Sequence, residues 1–262
     1  MQGFSFASLI LSYFLVGGGM FTGTFAAVVL KPESQAVMYL LLAAGGFVGG
    51  FVAARASRGS TILEPAIGAI AVVGTIVAMA ATSAIGKLIW SVAQDQTVKF
   101  VAAVIAAGGG GAIAGAFVSE KAFGESTLSS VPWVVYTALS TFGACLLALL
   151  FGSFIFATRD TGATQDQLGK LLLIGMAIGC FLAGLAVGAS ARTRPLLAAL
   201  IGGGAGVAGF FALMVRITGA GASTRNDKDA VAGFVVLAVG GCLVTLIGTL
   251  IGWAAVGKRH AG

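Results

Sequence analysis

Few residues of this chain are of a type that does chemistry, and their positions restrict what that chemistry is. The one histidine, His260, stands in the C-terminal tail, which leaves no imidazole for acid–base catalysis, for a serine–histidine pair or for a two-histidine zinc motif. No Gly-x-Ser-x-Gly elbow occurs, and no two carboxylates fall by spacing on one face of an apolar helix. Glu64, beside Pro65, is the best placed carboxylate, but Thr61-x-x-Glu64 reads as a capping box, which puts it in a first helical turn near the headgroups. Tyr136, Thr137, Ser140 and Thr141 form a polar stripe at helical spacing; such hydroxyls line a wet path or bond back to their own helix, and the second use is the commoner. Cys145, Cys180 and Cys242 each lie in an apolar run without paired spacing, as small hydrophobes do. These residues call for no catalytic centre, no cofactor and no metal.

Glycine is the loudest signal. Three clusters, Gly45-Gly46-x-x-Gly49-Gly50, Gly108-Gly109-Gly110-Gly111-x-x-x-Gly115 and Gly202-Gly203-Gly204-x-Gly206-x-x-Gly209, place small residues three and four apart. On a helix that spacing makes a smooth groove into which a neighbouring backbone fits closely. The alternative is a helix broken at mid-membrane, its freed carbonyls lining a pathway. A phosphate loop is excluded, because no Lys-Ser/Thr follows and no acidic partner is placed for a dinucleotide.

The elements that must carry these residues are membrane helices. Of 262 residues 58% are hydrophobic and only 9% charged, and mean hydropathy is +1.03, beyond what a soluble fold of this size can bury. A hydrocarbon core about 30 Å thick needs roughly 20 helical residues. Eight runs qualify, at 7–30, 36–56, 62–91, 97–118, 131–157, 169–190, 195–217 and 230–256, with Lys87 and Arg216 snorkelling near ends. The first run is too long for a signal-peptide core and has no positive flank, so it reads as a retained helix. Asp95 and Asp229 are placed to cap helices four and eight, Thr164-x-x-Gln167 repeats the capping box, and Pro132 and Pro195 suit first turns. Trp90, Trp133 and Trp253 fall near span ends, as an interfacial aromatic belt requires.

Residues 43–101 laid over 177–235 with a constant shift of 134 match at Gly45/Gly179, Gly50/Gly184, Arg58/Arg192, Gly68/Gly202 and Asp95/Asp229, among others. The sequence therefore predicts an all-α polytopic transmembrane bundle of about eight helices in two parallel four-helix repeats: 1–118, a polar connector 119–130, and 131–262. The net charge of +6 is spread over short loops, which points to topology and not to nucleic acid. Arg55, Arg58, Arg192, Arg194, Lys258 and Arg259 share one side, whereas Glu33, Asp95, Asp160, Asp166, Asp227 and Asp229 lie on the other, favouring cytoplasmic termini.

The stretch from Gly45 to Arg55, followed by Glu64-Pro65-Ala66-Ile67-Gly68-Ala69-Ile70, resembles the central hairpin of uncharacterised bacterial four-helix membrane proteins of the YrzE-like type. In both, a glycine-rich helix ends in a small-residue–arginine turn, and the next helix opens on a small residue and glycine. The second half departs from this pattern, with Ala189 where the arginine would stand. The resemblance implies a duplicated bacterial inner-membrane protein and transfers no activity or site. The expected role is a non-enzymatic membrane subunit or scaffold that associates, with itself or with a membrane partner, through small-residue helix faces. The alternative is a channel or transporter for a small neutral or lipophilic solute.

Overall fold

A computed structural model of the protein describes residues 5–30, 34–57, 62–82, 102, 104–123, 130–158, 165–190, 195–218 and 228–257. Over these residues the chain forms eight α-helices and no strand: α1 (Phe6–Leu30), α2 (Gln35–Ala56), α3 (Leu63–Thr82), α4 (Gly110–Phe123), α5 (Ser130–Thr158), α6 (Gln165–Ser190), α7 (Pro195–Thr218) and α8 (Lys228–Gly257). A π-helical turn, Val104–Gly109, leads into α4. Five segments, Phe6–Thr24, Ala36–Ala56, Gly169–Ser190, Pro195–Val215 and Val235–Val256, are long and apolar enough to cross a membrane; the apolar stretches of α3 and α5, Leu63–Ala78 and Trp133–Leu149, are shorter. The chain is thus an all-helical membrane-protein bundle.

The boundaries follow the apolar runs closely over the described residues, with one difference, at the far end of the first half. The described part of α3 ends at Thr82, so Lys87, Trp90 and Asp95 lie outside the described residues, as do Thr61, Arg58, Thr164, Arg192, Arg194, Asp160, Asp227, Glu33, Lys258, Arg259 and His260. At the other end of the first half, α4 continues through Phe123, into the stretch expected to be a polar connector. The continuation has a packing cause. Gly111, Gly115 and Ser119 form one ridge at four-residue spacing; Gly111 and Gly115 abut the Ala43 and Phe47 carbonyls of α2, and Ser119 is buried.

Close glycine contacts give the relative direction of six neighbouring pairs, three in each half. Gly46 meets the Gly108 carbonyl and Gly50 the Ala112 carbonyl, so α2 and α4 run the same way. Gly19 abuts Gly49 while Gly23 abuts Gly45 and Leu41, so α1 and α2 are antiparallel. α1 and α3 are parallel, with Gly68 on Ser12 and Gly17 on Val72. The second half repeats these relations. Gly184 and Gly188 meet the Thr245 and Thr249 carbonyls, making α6 and α8 parallel; Gly175 and Gly179 meet Ala148 and Ala144, making α5 and α6 antiparallel; Gly202 and Gly206 meet Val134 and Ala138, making α5 and α7 parallel. Successive helices therefore alternate in direction.

Individual contacts recur with their atoms. Gly50 on the Ala112 carbonyl matches Gly184 on the Thr245 carbonyl, and Gly115 on the Phe47 carbonyl matches Gly248 on the Phe181 carbonyl. Within each half the helices touch in the same cyclic order, α1–α2–α4–α3 and α5–α6–α8–α7. The halves meet along α1 and α5, where Gly18 lies against Gly143 and the Leu139 carbonyl, while Gly143 lies against Gly18 and the Phe14 carbonyl. Residues 18 and 143, and 14 and 139, are each 125 apart, so this seam is reciprocal.

Outward faces carry rows of large apolar side chains, for example Val236, Val239, Leu243, Ile247 and Leu250 on α8. In water such a surface would drive aggregation. Against lipid tails it costs nothing, so association within the bundle rests on van der Waals contact at the glycines. Cross-helix hydroxyls add to this: the Tyr13 and Thr75 hydroxyls bond across α1 and α3 at 3.1 Å, and Thr249 Oγ1 donates to the Gly184 carbonyl at 3.0 Å and to its own Thr245 carbonyl at 2.8 Å. Thr249→Val is expected to lower resistance to denaturation in detergent by about 0.6 kcal/mol, the typical worth of such a bond between membrane helices. A double-mutant cycle with Gly188→Ala, which alters the α6–α8 approach one turn further on, at the Thr249 carbonyl, checks it.

Candidate functional site

The first turn of α3 brings Glu64 inside the bundle, where it is 0% exposed. Its Oε1 accepts the Ser5 backbone N–H at 2.7 Å, and its Oε2 accepts the Ser57 hydroxyl. Ser57 caps α2, donating its backbone N–H to Ala53 and Ala54 carbonyls. One carboxylate thus joins the start of α1, the end of α2 and the start of α3. Its place in the first turn also sets the negative charge near the positive end of the α3 dipole. Glu64 lies in the first turn, where its spacing put it, and it is fully enclosed there, because Ser5 and Ser57 supply the donors that water would otherwise provide.

Beside this carboxylate lies the opening of α5. Trp133, expected in an interfacial belt, is 0% exposed and packs in the core with Ala53, Ala56, Ala186, Val187 and Ala198. Its ring meets that of Tyr136 edge-on, at 5.6 Å and 90°. The Arg55 guanidinium, from the end of α2, sits at the Tyr136 hydroxyl. Trp253, by contrast, is 53% exposed near the end of α8, as a belt residue should be. The reason for the difference is the seam: the first two turns of α5 are inserted between the halves, whereas α8 is peripheral. The buried Ser12 Oγ, Trp133 Nε1 and Ser190 Oγ have no hydrogen-bond partner among the described residues.

Further along α5 the hydroxyl stripe turns inward but spends its donors locally. Thr137 Oγ1 donates to the Trp133 carbonyl at 2.7 Å, Ser140 Oγ to the Thr137 carbonyl at 3.0 Å, and Thr141 Oγ1 to the Thr137 carbonyl at 2.7 Å. Thr141 is wedged against Gly206, and Thr137 against Gly202. The stripe is therefore a packing surface for α7, with the polarity of each hydroxyl absorbed by its own helix.

The glycine candidates divide cleanly. Gly45, Gly46, Gly49, Gly50, Gly108, Gly111, Gly115, Gly202 and Gly206 all face a neighbouring helix of the same chain, most of them at a backbone carbonyl, and only Gly209 is on an exposed face. Gly202, Gly203 and Gly204 lie within regular α7. The run Gly108–Gly111 does leave α geometry: Gly108 and Gly109 belong to the π turn, and α4 begins at Gly110. A π turn in a glycine run lets the backbone shift register so that Gly108 meets α2 on one side and takes the Met20 methyl on the other.

Two features had no signature in the sequence. Cys145 and Cys180, 35 residues apart, come together across α5 and α6 with sulfurs 3.9 Å apart, both free and buried. A groove of about 310 Å³ runs between α1, α2 and α5, lined by Gly18, Thr22, Gly45, Val48, Leu139 and Phe142 among others. No group of three or more His, Cys, Asp or Glu side chains that could hold a metal ion exists among the described residues. Compared with known proteins, the chain matches no family model, no curated protein and no solved structure.

Proposed function

We propose that this chain is a non-enzymatic membrane subunit or scaffold, built as two like-oriented four-helix repeats, that associates with a copy of itself or with another membrane protein. The observation that carries the reading is the distribution of small residues. Most glycines of the clusters are consumed inside the chain, whereas Gly209 joins Ala205, Ala208 and Ala212 in a small-residue ridge that faces outward on α7, all four exposed at a spacing of three and four. Such a ridge admits a second helix at close range. The recurrence of the glycine–carbonyl contacts in both halves supports the duplication, as does the likeness to bacterial YrzE-like hairpins. A multi-pass protein of the bacterial inner membrane with cytoplasmic termini fits the basic residues at the 55–58 and 192–194 turns.

Crosslinking in mild detergent tests this. A cysteine at 208 is expected to crosslink to a second copy or to a co-purifying membrane protein, and Gly209→Leu to abolish that product while leaving the chain folded. A strict monomer with no partner overturns it.

A second reading, a pathway for a small neutral or lipophilic solute between the halves, draws support from the buried Ser12, Trp133 and Ser190 polar atoms, which have no hydrogen-bond partner among the described residues. Leucine at Gly110, which is open, and at Gly203, which abuts Thr245, separates the readings. Solute flux lost with assembly intact favours transport; assembly lost without any flux to lose favours the scaffold.

A further inference from the structure

The two sides of the α1–α5 seam are unequal. On one side α1 packs against α6, and Phe14, Ala144, Leu147 and Ala183 form a closed core cluster there, with Phe14 only 6% exposed. On the other side α2 barely touches α5, and the groove of about 310 Å³ lies between them. The reciprocal contacts that relate the halves also match the residues of the two sides: offset 125 relates α1 to α5, and offset 134 relates α2 to α6. Under these offsets Phe14 corresponds to Leu139, Leu147 to Thr22, Ala144 to Gly19, Ala148 to Gly23 and Ala183 to Gly49. At each of the five, the groove side carries the smaller residue. At Leu15, Leu41, Val52 and Phe142, against Ser140, Gly175, Ala186 and Gly17, the groove side carries the larger residue, so the two crevices differ in where their bulk is placed.

We propose that this groove is a binding site for one acyl chain of a bilayer phospholipid. The site stands independently of the scaffold reading. Gly18 and Thr22 lie in the middle of α1, Gly45 in the middle of α2, and Phe142 in the middle of α5, so the open side of the groove faces hydrocarbon and not headgroups. Its lining is apolar. Thr22, the hydroxyl residue in it, donates to its own Gly18 carbonyl at 2.7 Å and asks nothing of an occupant. The glycines of α1 and α2 stand so close that a side chain at those positions would clash with the neighbouring helix and not fill the space: a Cβ on Gly49 would lie 2.8 Å from the Leu15 carbonyl and 2.9 Å from Val16 Cα. A flexible chain of methylenes entering from the side gains contact with three helices, whereas in bulk lipid it touches only other chains. The volume lies at the lower end of the roughly 300–1,000 Å³ of ligand sites, which suits one tail and not a whole lipid. Leu139, 38% exposed at the mouth, is the residue an occupant covers.

Native mass spectrometry of the protein reconstituted with dioleoylphosphatidylethanolamine, then washed in detergent, tests the site. The wild-type chain is expected to retain one phospholipid. Leu139→Phe restores the bulk that Phe14 supplies on the closed side, and Ala44→Leu fills the groove from an exposed position on α2; each is expected to reduce the retained fraction about tenfold, with helicity and thermal midpoint unchanged. If Leu139→Phe fails to fold, Ala44→Leu alone decides. A wild-type chain that washes bare, or folded variants that retain as much lipid as wild type, overturns the proposal.

Discussion

Gly50→Leu is expected to unfold the bundle in mild detergent, with a loss of about 3 kcal/mol or more, at or beyond the top of the usual overpacking range. Even the first carbon of the new side chain would run into the Ala112 carbonyl of α4, and that obstacle is backbone, which cannot rotate away. Separating the two helices enough to admit leucine would also break the Gly46–Gly108 and Gly115–Phe47 contacts on the same interface, because all three lie on one pair of parallel helices. In lipid nothing compensates, since helix association there has no hydrophobic term to fall back on. Gly184→Leu, at the Thr245 carbonyl, is expected to behave alike. Gly240→Leu, where a side chain meets nothing within 4 Å, is the control and is expected to change stability by less than about 0.5 kcal/mol. Denaturation in increasing sodium dodecyl sulfate measures all three, and equal losses at Gly50 and Gly240 would contradict the packing described.

The second large effect is at Glu64. Removing its carboxylate with Glu64→Ala strands the Ser5 N–H and the Ser57 hydroxyl in an enclosed site, and each stranded group costs about 1–3 kcal/mol, more where the lost partner was charged. A total near 3 kcal/mol is expected. Glu64→Gln keeps an acceptor for one donor and is expected to lose about half as much. Because the carboxylate ties the start of α1 to the α2–α3 turn, the loss appears first as fraying there: proteolysis near residue 5 should accelerate in Glu64→Ala before global unfolding does. A variant as resistant as the wild type at both readouts removes Glu64 from its structural role.

Much of the architecture was legible in the sequence, because a membrane helix announces itself by length and lack of charge. The runs at 36–56, 169–190 and 195–217 match α2, α6 and α7 to within a few residues at each end. The glycine spacing was equally direct: a ridge of small residues has one common use in lipid, and nine of the ten named glycines serve it inside the chain. What could not be read was which face of a uniformly apolar helix turns inward. A soluble helix marks its core face by polarity, but here Trp133 and Trp253 sit at comparable places in comparable runs, and only the insertion of α5 into the seam buries the first. The partners of Glu64 were hidden for a related reason. A capping box is a local pattern, whereas the groups that enclose Glu64, Ser57 at the end of α2 and Ser5 at the start of α1, are assembled by the tertiary fold.

The recurring contacts also explain why the ungapped match stops where it does. The offset of 134 holds through α2 and α3, but α1 relates to α5 at 125 and α4 to α8 at 133, so α1 and α5 fall out of any alignment without gaps. Those are the two helices that form the seam.

The alternation of all eight helices through one membrane is the claim on which the seam, the groove and the outward ridge depend, and reporter fusions test it most directly. Alkaline phosphatase, active outside, and green fluorescent protein, fluorescent inside, would be fused after residues 32, 57, 126, 161, 193 and 222, each of which ends or follows one helix of the series. The expected result is one side for 57, 126 and 193 and the opposite side for 32, 161 and 222. Finding 57 and 193 on opposite sides would contradict the account.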